Sequence, residues 1–346
     1  MKPIRLIKFP KSLSLVFLLL LILTACSGLT PSQTLPATVS IPTSTRTPPI
    51  PTQTLTDTPA PSATSIPTPT VTPTPSYPQF THIVYIVFEN KEFTDVIGDM
   101  YMPVFNHLAN TYTLLTAFYA ETHPSMPNYL AMVAGSTFDR TTNCEDCFVN
   151  APSLADQIEA SGRTWKDYQE DMLAPCFIGS RYPYAQKHNP FIYFDPIRLN
   201  TPRCKQHIVP LTELDQDIAN GTLPNFIFVT PNLCNDAHDC FVNVADAWLN
   251  TFLQKLTPVL DATQQPYLIV LTWDEGATKE GCCGLPASAG GRIATVLISP
   301  QAKLGFKDDT PYTHYSLLKT IETFWGLPLL GHAADPETVM MTAPWK

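Results

Sequence analysis

The chain places its chemically capable residues at the ends of apolar runs. Glu89-Asn90 follows residues 83–88 (IVYIVF), and Asp274-Glu275-Gly276 follows residues 267–273 (YLIVLTW). Residues 121–128 (ETHPSMPN) carry Glu121, His123, Ser125 and Asn128 into the start of a helical pattern. Residues 231–239 (PNLCNDAHD) carry Asp236 and His238, and His314 stands in residues 313–316 (THYS). Carboxylates gathered without partners repel one another, so a cation is their natural companion. Glu89, Asp274 and Glu275, with the Asn90 amide oxygen, offer it oxygen ligands. Ser125 falls on a turn ahead of a helix N-terminus, where backbone N–H groups and the helix dipole favour an anion. A serine beside a divalent cation can serve as an alkoxide nucleophile. Each feature alone has a structural alternative: a turn and cap at Glu89-Asn90, a turn at 274–276, an N-cap serine, and structural histidines at 123, 188, 238 and 314. Their occurrence together, one run end after another, favours a site.

The elements that must position these residues alternate between strand and helix. Short apolar runs at 83–88, 112–118, 163–168, 226–230, 267–273 and 293–298 read as strands, several of them apolar throughout as in a sheet covered on both faces. Helical patterns are expected at 103–110, 127–134, 151–161, 211–219, 244–260 and 315–324. This alternation predicts an α/β fold with a mainly parallel sheet between helix layers, and a site at the carboxyl ends of the strands. Residues 79–346 are long enough for one well-buried core.

The N-terminal residues read differently. Lys2, Arg5, Lys8 and Lys11 precede an apolar stretch over 13–23, and Leu23-Thr24-Ala25-Cys26 follows. That order is an export signal. Its ending resembles a bacterial lipobox, which implies cleavage before Cys26 and a diacylglycerol on its sulfur. Residues 27–78 hold 13 Pro and 15 Thr, so they are expected to form a disordered, extended linker. At about 3.1 Å per residue it would reach on the order of 150 Å. The whole chain carries a formal charge of −9, of which the leader's four bases supply +4. The remaining −13 repels phosphate backbones, and no nucleic-acid partner is expected. The expected location is outside the cytoplasm, anchored by lipid to the cell membrane.

Eight further cysteines suit disulfides in an exported protein. Local pairing is expected: Cys144 with Cys147, Cys176 with Cys204, Cys234 with Cys240, and the adjacent Cys282 with Cys283. Cys144 and Cys147 also have the spacing of a zinc site.

Five ordered segments, 88–93 (FENKEF), 122–129 (THPSMPNY), 231–239, 272–276 (TWDEG) and 313–316, resemble the bacterial phosphoesterase family. That family includes acid phosphatases and phospholipases C within the alkaline phosphatase superfamily, and the resemblance spans about 82–325. It implies an alkaline-phosphatase-like fold, metal ligation by Glu89, Asn90, Asp274 and Glu275, and a nucleophile, Ser125, that also touches the metal. It also implies that Asn128 donates to a phosphoryl oxygen, and that His238 and His314 bind phosphate or assist the leaving group. His123, His188 and Asp236 transfer as substrate-binding positions. The few histidines suggest one divalent cation, and oxygen-rich ligation suits Ca²⁺, Mg²⁺ or Mn²⁺, with Zn²⁺ as the superfamily alternative.

The expected activity is phosphomonoester hydrolysis through a phosphoserine. Phosphodiester or phospholipid cleavage is the close rival. A non-catalytic lipoprotein that captures a phosphorylated ligand and a stalked adhesin are the readings from other classes.

Overall fold

The structure is a computed structural model and describes residues 77–346. The export signal, Cys26 and nearly all of the Pro/Thr-rich linker lie outside the described residues. The strands, in chain order, are β1 (His82–Phe88), β2 (Thr113–Tyr119), β3 (Trp165–Gln169), β4 (Ile208–Pro210), β5 (Phe226–Thr230), β6 (Tyr267–Trp273), β7 (Arg292–Ile298), β8 (Lys307–Asp308) and β9 (Tyr312–Thr313). They form one sheet in the order β4-β3-β5-β1-β6-β7-β2-β8, with β9 also paired to β2.

Every residue of β1, β5 and β6 is buried, as their unbroken apolar composition requires. β1 lies parallel to β5 on one side and to β6 on the other, with Phe88 opposite Trp273. β7 runs antiparallel to both β6 and β2, so β2 shares the direction of β1 and β6. One reversed strand therefore leaves the carboxyl ends of β1, β2, β3, β5 and β6 on a single edge of the sheet. The mainly parallel α/β sandwich expected from the sequence is the fold found.

Helices flank this sheet. Ser125–Ala134 is buried at all ten positions, and Val242–Thr263 and His314–Trp325 are longer helices with apolar stripes. Ser125–Ala134 begins two residues earlier than the sequence pattern indicates. Ser125 is thus the first helical residue and not a turn residue ahead of the helix. Apolar periodicity marks where a helix packs, and the polar start of this one packs too. Several elements carry no periodic signal and were not expected: β4, the two-residue β8 and β9, and the helix Thr201–His207.

The four disulfides join Cys144–Cys147, Cys176–Cys204, Cys234–Cys240 and Cys282–Cys283, the local pairing expected. With both sulfurs in a disulfide, Cys144 and Cys147 do not form a zinc site. No helix among the described residues is long and apolar enough to cross a membrane.

Candidate active site at the carboxyl edge of the sheet

The end of β1 delivers Glu89 and the end of β6 delivers Asp274 and Glu275. Because these strands are adjacent and parallel, the three carboxylates meet. Asn90 takes a left-handed backbone conformation (φ 57°) and its N–H donates to Asp274 Oδ1 at 3.0 Å, which fastens the two strand ends. The link from β2 brings Ser125 between them: its hydroxyl lies 3.1 Å from Glu89 Oε2 and 3.3 Å from Glu275 Oε1. Glu89, Ser125, Asp236 and Asp274 are buried, and Glu275 is 6% exposed.

The electrostatics call for positive charge. Burial raises Asp274, and the charges of Glu89 and Glu275 raise it further. Burial likewise raises Glu275, with His123 opposing. Asp274 Oδ2 is buried without a hydrogen-bond partner. An orphaned oxygen amid three mutually repelling carboxylates fits a bound cation, so the residues present suit the metal that the resemblance implies. On the far side of Glu89, buried His188 places Nε2 3.0 Å from Glu89 Oε2 and Nδ1 3.2 Å from Asp236 Oδ2. Both contacts are ion-pair distances that lack hydrogen-bond alignment. Burial lowers the His188 pKa, but the two carboxylates overcome it and hold the ring charged. Burial also raises Glu89, and His188 and Lys187 reverse that, to about 2. Glu89, His188 and Asp236 have ligating atoms within 4.8 Å of one another, and a metal held there would displace a proton from His188.

The remaining sequence candidates occupy supporting positions. His123 uses both ring nitrogens, Nδ1 with Glu275 Oε2 at 2.5 Å and Nε2 with the Thr278 carbonyl at 2.7 Å. Asn128 is fully buried. Its Oδ1 accepts from the N–H groups of Glu121 and Thr122, and its Nδ2 donates to the carbonyls of Thr122 and Pro124. Here Asn128 pins the serine's turn, and its amide does not stand free for a phosphoryl oxygen. His314 is also fully buried, with Nε2 2.9 Å from the Asp274 carbonyl, and burial pushes its pKa down to about 4. It braces Asp274 from behind and does not face the mouth of the site, where a leaving group would need it. His238 does stand at the mouth: it is exposed, with its ring centroid 5.8 Å from that of buried His188. Nδ1 pairs with Asp239 at 2.6 Å and Nε2 accepts from the Lys187 ammonium at 3.0 Å.

Four contributors escaped the sequence reading. Tyr129 donates to Glu89 Oε1 and stacks on His188. Asp239 lies in the 231–239 segment next to His238, and Lys187 stands next to His188. Glu92 accepts from the N–H groups of Ala277, Thr278 and Arg292 and from the Thr278 hydroxyl, clamping both ends of the segment after Glu275. A Cβ on Gly276 would collide with that carboxylate, so the close approach requires glycine.

Comparison with known proteins places the chain in a family. The family model described as "Phosphoesterase family" matches residues 99–328. The chain belongs to the phosphoesterase family. As a phosphoesterase family member it is 35% identical over 266 residues to an acid phosphatase from Aspergillus fumigatus, covering 73% of this chain and 56% of that protein. It is 34% identical over 264 residues to a phosphatidylinositol-3-phosphatase from Mycobacterium tuberculosis, covering 75% and 82%. This family member thus spans little more than half of its fungal relative and most of its mycobacterial one. Its fold is like that of a solved structure described under the metabolism of multiple glycosaminoglycans by Bacteroides thetaiotaomicron. That match has a TM-score of 0.52 at 13% identity and covers 78% of this chain and 83% of that one. A protein of the alkaline phosphatase superfamily from Vibrio parahaemolyticus matches at a TM-score of 0.49 and 13% identity, covering 78% and 74%.

Proposed function

We propose that the chain is a metal-dependent, acid-phosphatase-like phosphomonoesterase that works through a phosphoserine on Ser125. The observation that carries this reading is the Ser125 hydroxyl, held at the start of a buried helix within reach of Glu89 and Glu275. Ser125 Oγ attacks phosphorus in line, its proton passing to one of those carboxylates, and the bond from phosphorus to the alcohol oxygen breaks. The departing alcohol takes up the proton that the carboxylate received from Ser125, and His238, with Nδ1–H held by Asp239 and Nε2 an acceptor, takes a proton from the water that hydrolyses the phosphoserine. Glu89, Asn90, Asp274 and Glu275 would hold the cation, which supplies neutralising charge for the serine oxygen and the phosphoryl oxygens. The charged His188 fills the corresponding role between Glu89 and Asp236. The cation is Ca²⁺, Mg²⁺, Mn²⁺ or Zn²⁺.

The name of the mycobacterial relative favours a second reading, in which the substrate is a phosphorylated lipid. Export and anchoring through Cys26 would place the site near such a substrate. These two proposals rest on the leader's residues.

The test is release of nitrophenol from its phosphate monoester and diester by the full chain, with and without chelator, beside Ser125→Ala. Chelator-sensitive monoester turnover is expected, with a loss of at least about a thousandfold in Ser125→Ala. Preference for the diester would replace this reading with a phosphodiesterase. Turnover of neither ester with any of the four metals would overturn it.

A further inference from the structure

A cavity of about 590 Å³ lies beside the turn that carries Ser125. One wall is Glu121 and Thr122, whose N–H groups both donate to Asn128 Oδ1. The facing wall, residues 283–286, belongs to the segment that follows Glu275, and the Thr278 carbonyl of that same segment meets His123 Nε2. Thr122 precedes His123 in the chain, and His123 in turn contacts Glu275 Oε2, so the cavity and the candidate active site share this stretch of the chain. Thr137, Arg140, Tyr315 and His332 complete the lining.

The lining is rich in unused hydrogen-bonding capacity. Glu121 is 2% exposed and its Oε2 has no hydrogen-bond partner. Burial pushes its pKa up to about 8, so it keeps a proton to donate at neutral pH. Arg140 donates from one terminal nitrogen to the Phe148 carbonyl while its Nε has no partner. His332 is paired with Asp335 at 2.7 Å, whereas Asp139 and Glu337, also in the lining, make no ion pair among the described residues. Negative charge thus exceeds positive charge around the cavity.

We infer that this cavity receives the alcohol part of the phosphate ester and selects a hydroxyl-bearing alcohol, a sugar or polyol, over one carrying a second, doubly charged phosphate monoester. The inference rests on the phosphatase reading above and names its substrate class. Hydroxyls satisfy the unpaired polar groups, and a site built to hydrogen-bond a substrate discriminates strongly against analogues that leave those groups unmet. Further phosphates would face Asp139 and Glu337. A free sugar phosphate and a phosphorylated lipid headgroup offer the same hydroxyl chemistry.

The experiment uses the full chain and two cavity-filling variants from separate walls, Thr137→Trp and Leu285→Trp, with Thr137→Val as control. Substrates are a hexose monophosphate, a hexose bisphosphate and a short-chain phosphatidylinositol monophosphate. Oxygen exchange between labelled inorganic phosphate and water reports phosphoryl chemistry without any alcohol. Wild-type kcat/KM should favour the hexose monophosphate over the bisphosphate by roughly tenfold or more. Both Trp variants should lose roughly tenfold on the hexose monophosphate, keep oxygen exchange within about twofold, and leave Thr137→Val unaffected. Hydrolysis of the lipid with the same loss in the Trp variants would identify a headgroup as occupant, and hexose hydrolysis alone a soluble alcohol. Preference for the bisphosphate, Trp variants that keep hexose hydrolysis, or loss of exchange in both Trp variants would overturn the inference. Absence of exchange and of all hydrolysis in the wild type would instead defeat the phosphatase reading, and this inference with it.

Discussion

The Asn90 N–H donates to Asp274 Oδ1 across the ends of β1 and β6, joining residues 184 positions apart in the chain. The bond depends on the left-handed conformation at Asn90 (φ 57°), which asparagine tolerates better than most residues. Backbone and side chain at this position therefore do separate things. The backbone aims an N–H at one carboxylate oxygen, and the amide is left for a ligand.

Two substitutions at Asn90 should separate those roles. Asn90→Gly keeps the backbone conformation and removes the amide, so the melting temperature should hold while metal affinity and activity fall. Asn90→Ala adds about 1–2 kcal/mol of strain and should lower both. Calorimetry and metal titration of the two variants read the difference. Equal melting temperatures would refute the backbone role.

Asp239→Asn should weaken turnover more than binding. The Asp239 carboxylate holds His238 Nδ1–H, which leaves Nε2 aimed at Lys187 and the mouth. Without it the ring is free to change tautomer. A fall of about a hundredfold in kcat with KM within about threefold is expected, with His238→Ala at least as severe. Steady-state kinetics on the phosphate monoester decide this, and a change confined to KM would count against it.

Stripping the metal should destabilise the fold as well as silence it. Glu89, Asp274 and Glu275 are buried together; His188 and His123 offset Glu89 and Glu275, but Asp274 Oδ2 is left without a partner. A ligand present at a hundred times its dissociation constant adds about 2.7 kcal/mol. Thermal unfolding with chelator, then with each of the four metals restored, should show the midpoint fall and return. An unchanged midpoint would mean that protons balance the cluster.

Stability should be greater in acid than in base. Burial raises Glu121 and Glu322 to about 8 and raises Asp167 well above its ordinary value. These are pKa values raised on folding, so the contribution of Glu121 and Glu322 is complete below about 4.5, declines as pH rises, and is gone once pH passes about 8, and that of Asp167 is lost in the same direction. Glu89 acts oppositely: although burial raises it, His188 brings it to about 2, so its contribution is present above about 4.5 and lost as pH falls toward 2. Urea midpoints across pH should fall from the mildly acidic side to the alkaline side. Glu322→Gln should flatten that slope, because Glu322 Oε1 accepts from Leu330 N–H while Oε2 is buried and unpaired.

The sequence revealed the strands that carry the site more clearly than the contacts made within it. β5 and β6 have the bounds that their apolar runs suggest, and Glu89 is found where the β1 run stops, with Asp274 and Glu275 where the β6 run stops. Run length and polarity are local properties, so they can be read locally. The tasks of Asn128 and His314 are not local. An asparagine that pins its own turn and one that donates to substrate have the same spacing, and only the four bonds of the Asn128 amide show which this is. His188 sits in a stretch of short 3-10 turns with no periodicity, so its place between Glu89 and Asp236 leaves no trace in pattern. The pairing of β7 against its neighbours is likewise invisible, because a buried strand reads alike in either direction.

Glu92 grips the chain at Ala277 and Thr278 on one side and at Arg292 on the other. The residues between these anchors form the outer wall of the cavity, while Glu275 lies outside the clamp. Exchanges over 284–288 would therefore remodel what the protein accepts without disturbing how it reacts, whereas Gly290 and Gly291 pack against Thr122 and Glu92 and leave no room for a side chain. One carboxylate thus makes substrate choice a separately evolvable trait, and it marks the segment that a library for altered specificity should randomise first.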